Sequence, residues 1–253
     1  MVGSNILQPH RDALKAKPLT ACASLLLFAK VDGSGGQEPE TPTPTPNKKT
    51  TYAVKLGENG ACLSDINDAR KKAGFNDFVI PQTDAKEKRL PEEGEQDSSE
   101  YDEWVWKPVC DVLIPQEAAR KSSEADPGKK FMSGTYAFQV VDAANLSCTA
   151  VVEKWKNAYS NFNGLPPPNK DTEELYASQD NISFVAVHNP SADATADCRV
   201  VTCTRKISNS PTSLLLEQEE EDNKTEETKE GSALICMTTP DVLPANSDNP
   251  PFT

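Results

Sequence analysis

Apolar positions first recur at helical spacing at Cys62, Ile66, Ala69 and Ala73, with Asp65 and Asp68 early and Arg70, Lys71 and Lys72 late. Charges placed this way complement a helix dipole, and Gly74 supplies a stop, so the pattern predicts a helix with one buried face. The run WVWKPVCDVLI, 104–114, is strongly apolar, and Pro108 fits the first turn of a short helix whose tryptophans anchor a core. From Gly134 to Val141 the pattern alternates, with Tyr136, Phe138 and Val140 on one face, and predicts a strand. Cys148, Val151, Val152, Trp155, Ala158, Tyr159 and Phe162 then recur at the 3.6-residue period, a second helix ended by Gly164 and three prolines. Asn181–His188, Arg199–Ile207 and Ala233–Thr239 read as strands from their β-branched and aromatic content. Helices come first and an antiparallel sheet follows, which is an α+β chain with helices covering the sheet.

The flanks lack this periodicity. Residues 1–30 carry Arg11, Lys15 and Lys17 and then an uncharged stretch, Leu19 to Ala29, of the size of a signal-peptide apolar region and too short to span a membrane. Residues 31–50 pass from Gly/Ser into a Thr-Pro repeat, an extended solvated linker. A folded domain is expected over 51–245, with 246–253 as a tail. The formal charge of −13 is concentrated in two segments, 84–103 with nine acids and three bases and 217–230 with eight acids and two bases. Neither has apolar periodicity, so both read as solvated insertions, and neither has the oxygen spacing of a calcium loop. So negative a field repels nucleic acid, and no basic patch offsets it.

Of seven cysteines, Cys22 lies in the leader, which leaves Cys62, Cys110, Cys148, Cys198, Cys203 and Cys236. Six is an even number, as a secreted disulfide framework requires, and no C-x-x-C pair supports a zinc or redox site. On a regular strand Cys198 and Cys203 stand about 16 Å apart on opposite faces and cannot pair with each other. The sequons at Asn145, Asn181 and Asn223 are candidate glycosylation sites; the first two flank packed elements. The histidines are His10, in the leader, and His188. A two-histidine metal site therefore cannot be built in the domain, and a nucleophilic site would depend on His188 alone, which leads into Asn189-Pro190 and reads as structural. Phosphate-loop and nucleophile-elbow motifs are absent from the sequence, so no catalytic residue, metal or cofactor is assigned.

The segments CLSDINDARKKAGFNDF (62–78), WKPVC (106–110), GTYAF (134–138), SCTAVVEKWKNAYSNFNGLPP (147–167), ADCRVVTC (196–203) and LICMTTPDVL (234–243) resemble the six-cysteine surface antigens of Eimeria, a family similar to the CAP superfamily of secreted proteins. The resemblance implies a disulfide-stabilised three-layer α-β-α sandwich, with Asn67 and Arg70 in the place of the CAP first-helix N-x-x-R. It also implies a Cys198–Cys236 bridge, by likeness to the CAP cysteine hairpin, and leaves the other four cysteines with three connectivities. NISFVAVH, 181–188, falls where CAP proteins have their G-H-Y-T-Q-V-V-W strand, so that the motif histidine becomes Ile182 and the tryptophan His188. The implied function is a non-enzymatic surface antigen that contributes to host-cell attachment, with a host-cell receptor and host antibodies as partners. Family members carry a hydrophobic tail for a GPI anchor to the membrane, and this chain stops at NSDNPPFT without one. The second reading is a secreted CAP-like protein that binds a lipid or another small hydrophobic ligand.

Overall fold

A computed structural model describes residues 47–115, 134–170, 174–210 and 226–252. Nine elements follow in chain order: β1 (Asn47–Leu56), α1 (Leu63–Lys72), β2 (Gly94–Asp97), α2 (Lys107–Leu113), β3 (Thr135–Val141), α3 (Cys148–Asn157), α4 (Gln179–Val187), β4 (Thr195–Ser210) and β5 (Glu227–Thr239). The strands form one antiparallel sheet in the order β2-β1-β4-β5-β3. Strand alternation sends Tyr52, Val54, Val201, Cys203, Ile235, Met237, Tyr136 and Phe138 to one face, where α2 packs with Trp106, Val109 and Cys110. Ala137, Ala196, Cys198, Leu234 and Cys236 point to the other face, under Ile66 and Ala69 of α1, Val151, Val152 and Trp155 of α3, and Ala186 and Val187 of α4.

The two amphipathic helices form where the pattern predicts them. α1 carries Asp65 in its first turn and Arg70, Lys71 and Lys72 in its last, and it ends at Gly74 with φ 86°. α3 is capped by Ser147, whose Oγ accepts from the Ala150 amide at 3.4 Å. α2 holds Pro108 in its first turn, where the missing amide costs no helical hydrogen bond. Its C-terminal end approaches β5 so closely that a Cβ on Gly231 would lie 2.4 Å from the Leu113 carbonyl oxygen.

Several expectations are corrected. Asn181–His188 is not a strand: Gln179–Val187 is α4, with Asn181, Ser183, Phe184, Val185, Ala186 and Val187 buried around most of its girth. A short helix buried on all sides has no polar stripe, and its β-branched run then looks like a strand. The equivalence of this stretch with the CAP strand fails with it. The linker ends earlier than expected, because Asn47–Thr50 belong to β1 and pair with Ile207–Ser210 of β4. The segment 84–103 is no solvated insertion: it supplies edge strand β2 and buries Leu90 and Tyr101, the latter stacked on Tyr52 with ring centroids 3.7 Å apart. Of the second acidic segment, Glu227–Glu230 are part of β5, while 217–225 lie outside the described residues, as do the leader and Asn223. The segment expected as a tail also packs, through Phe252 against Phe75 and Phe184 and through the Ser247 amide to the Asn169 carbonyl.

Edge strand β3 is covered by side chains. Its outward Phe138 amide donates to Ser183 Oγ at 3.0 Å, its Tyr136 carbonyl accepts from Gln179 Nε2 at 2.9 Å, and its Phe138 carbonyl accepts from Trp155 Nε1 at 3.2 Å. An edge satisfied this way offers no ladder to another chain. The opposite edge, β2, is four residues long and carries Glu95 and Asp97, a second way to blunt an edge.

Candidate functional site

The six framework cysteines form three bridges. Cys62–Cys148 joins the start of α1 to the start of α3, Cys110–Cys203 joins α2 to β4, and Cys198–Cys236 joins directly opposed residues of β4 and β5. Each helical layer thus has a covalent link: α1 to α3 on one side, and α2 to the sheet on the other. Asn145 is exposed in the turn before α3, with its Nδ2 on Asp142 at 2.7 Å. Asn181 is 3 % exposed; its Nδ2 donates to the Leu175 carbonyl at 2.8 Å and its Oδ1 accepts from Asn161 at 2.7 Å. A glycan has no room there, and Asn181 is corrected from a candidate acceptor to a core residue.

Asn67 and Arg70, one turn apart on α1, hold a loop. Asn67 Oδ1 accepts from the Phe78 amide at 2.8 Å. Arg70 is 1 % exposed; its Nε donates to the Asn76 carbonyl at 2.7 Å, and its Nη1 donates to the carbonyls of Val187 at 3.0 Å and Asn189 at 2.9 Å. Its guanidinium stacks 3.6 Å above the Phe78 ring. The Val187 carbonyl is at the negative end of α4, so the buried cation is held by a helix-end carbonyl, two loop carbonyls and an aromatic face in place of a carboxylate. Burial lowers its pKa to about 10, partly offset by Asp77. It therefore stays charged at neutral pH.

His188 caps α4 beside this arginine. It is buried, its Nδ1 lies 2.8 Å from the Phe184 carbonyl, and its ring rests 4.5 Å from that of Phe184. The Nδ1–H donates, which fixes the neutral tautomer. Burial depresses its pKa below the ordinary 6.5; the Phe184 bond opposes the shift, and the charges of Arg70 and Lys156 add to it.

Together Asn67 and Arg70 hold the loop over 74–81. Its far side is clamped to the start of β4, where the Val79 amide donates to the Ala194 carbonyl and the Ala196 amide to the Val79 carbonyl. Beside the exposed polar side chains of Asn76 and Asp77 the loop presents two apolar ones, Val79 at 63 % exposed and Ile80 at 42 %. Loop segments carry binding surface when a fixed scaffold positions them, and here the scaffold reaches them through named hydrogen bonds. A separate cleft of about 110 Å³ between α1 and α3 is lined by Asp65, Asp68, Lys72, Glu153 and Lys156 together with Thr149, Ala69 and Val152, a lining with too many charges to suit a lipid chain. Among the described residues, no three His, Cys, Asp or Glu side chains are grouped to hold a metal ion.

Sequence reasoning places the cysteines and the N-x-x-R pair but misses the partners of Arg70, which are backbone carbonyls, two of them more than a hundred residues away. It also misses Gln179 and Ser183, whose assignment to β3 depends on recognising α4 as a helix.

The family model for the sporozoite surface antigen (SAG) protein domain matches residues 58–253, from the approach to α1 through the closing segment. The chain belongs to the SAG family. This SAG protein is 27 % identical over 153 residues to the sporulated oocyst TA4 antigen of Eimeria tenella, an alignment that covers 56 % of each chain. It thus spans about half the length of the curated relative it matches. No solved structure matches it. Membership identifies a parasite surface antigen on a disulfide-tied α+β frame, and the loop at 74–81 lies inside the matched region.

Proposed function

We propose that this SAG protein is a non-enzymatic display domain, held at the parasite surface by a GPI anchor in a longer precursor, that attaches to host cells and meets host antibodies through its loops. The observation that carries the attachment reading is the pairing of exposed Val79 and Ile80 with an anchor of half-buried Asn67 and buried Arg70 beneath them. Apolar side chains on a loop that is not free to fold them away are available to a receptor. A CAP-like layering is part of the same proposal, supported by helices on both faces of the sheet. No observation favours the lipid-carrier reading.

The test applies disulfide-intact protein to cultured host epithelial cells beside a reduced and alkylated control and a Val79→Asp/Ile80→Asp variant. Saturable binding by the intact protein, lost in both others, is the expected result. Equal binding by all three sinks the attachment role and leaves display alone.

A further inference from the structure

Among the described residues, strands β2, β1, β4 and β5 have an open stretch on the face turned away from α2. The hydrophobic cluster under α1, α3 and α4 reaches Val200 and Leu234 and goes no further along it. Beyond that point the register sets Thr51, Ala53 and Lys55 of β1 beside Lys206, Thr204 and Thr202 of β4, and those beside Thr228, Glu230 and Ser232 of β5. Asp97 and Glu95 of β2 flank Thr51 and Ala53. Hydroxyls bond across the lattice, Thr202 to Ser232 at 2.8 Å and Thr204 to Glu230 at 3.1 Å. Asp97 is paired with Lys49 at 3.4 Å. Lys55, Lys206, Glu95 and Glu230 are all exposed and make no ion pair among the described residues.

The positions of these four follow from the register. Glu95, Ala53, Thr204 and Glu230 form one row across four strands. Lys55 is two residues from Ala53 along β1, and Lys206 is two residues from Thr204 along β4 in the opposite direction, because the strands run antiparallel. With about 4.8 Å between strands and about 3.4 Å per residue, the two glutamates are about 14 Å apart, the two lysines are about 14 Å apart, and the two lines cross at one midpoint between Ala53 and Thr204. Equal lines with a shared midpoint are the diagonals of a rectangle, here about 8 Å by 12 Å, and its corners alternate in sign.

We propose that this face is a self-complementary contact between two copies of the chain. A two-fold axis lying in the face along a midline of the rectangle carries every lysine corner onto a glutamate corner, so two copies laid face to face form four Lys–Glu pairs at once. This is the isologous geometry of closed dimers. Ala53 and Thr204 at the centre are small enough to let the faces approach. The like-charge alternative, lysine over lysine, is avoided by the same symmetry. The patch is smaller than a standard stable interface, so the association is weak, with a dissociation constant on the order of 10–1,000 μM.

Sedimentation of the full disulfide-intact chain at low salt, from about 10 μM to about 1 mM, reads the association directly. The expected result is a monomer–dimer equilibrium that weakens roughly tenfold or more in Lys55→Glu/Lys206→Glu and in Glu95→Lys/Glu230→Lys. Mixing the two double variants, or combining all four changes in one chain, restores it. All four side chains are exposed, so the variants keep the fold, which circular dichroism checks. A wild type that stays monomeric over the whole range overturns the proposal, as does a double variant that dimerises as tightly as wild type. Neither result bears on Val79 and Ile80, which lie on a separate loop.

Discussion

At residue scale the buried charges set the conditions under which the fold holds. Folded His188 takes up its proton at a lower pH than the unfolded chain does, so between those two values the unfolded state binds more protons and stability rises with pH. The contribution is complete above about pH 6.5 and is lost on acidification below it. The carboxylates with depressed pKa values, among them Asp68, Asp142 and Glu153, titrate at lower pH and leave the upper window to His188. We expect the melting temperature to fall between pH 7 and pH 5, and the fall to shrink in His188→Gln; an equal fall in the variant removes His188 as the cause. Arg70→Lys tests the buried cation beside it. One ammonium cannot reach the Asn76, Val187 and Asn189 carbonyls together, so a loss of about 2–3 kcal/mol is expected in urea denaturation, beyond what an exposed Arg→Lys change costs. The role of Arg70 was half legible: its place in an N-x-x-R pair can be read from the sequence, but carbonyl partners leave no mark in side-chain identity.

Individual elements show where periodicity carries information and where it stops. α1 and α3 have one wet face each, and their apolar spacing fixes them without any knowledge of neighbours. α4 is enclosed by β3, α3 and the closing segment, so the near-continuous apolar run of Ile182, Phe184, Val185, Ala186 and Val187 reads as a buried strand as well as a helix. Leu90 and Tyr101 stand alone in acidic surroundings, and single apolar residues without a period do not announce that they are buried. The fit of α2 onto the sheet gives a test at this scale. Gly231 lies on β5 opposite Cys203, which is bonded to Cys110 in the middle of α2, so the helix cannot shift away freely. Gly231→Ala sets a methyl against the Leu113 carbonyl, and a destabilisation of about 2 kcal/mol is expected by thermal or urea unfolding. An unchanged midpoint shows that the end of α2 yields.

The whole molecule is closed by bonds that reach across the chain. Only Cys198–Cys236 joins the parts on either side of 211–225, since the other two bridges lie wholly before Ser210. A protease site engineered between Ser210 and Glu226 should therefore give two pieces that migrate together on a non-reducing gel and separate after reduction. Separation without reductant refutes that bridge. An even cysteine count made a framework legible, whereas connectivity depends on how the layers stack, which no spacing encodes. The sheet order has a further consequence for how the protein is made. β1 leaves the ribosome early, yet its long-range partner is β4, with Leu56 beside Val201, and the innermost pair, β4 with β5, is synthesised last. During translation the first strand, its Tyr52 and the thiols of Cys62 and Cys110 thus wait, exposed, for a scaffold that does not yet exist. A nascent chain of this design depends on chaperones and disulfide isomerases to keep the two early thiols from joining each other before Cys148 and Cys203 appear.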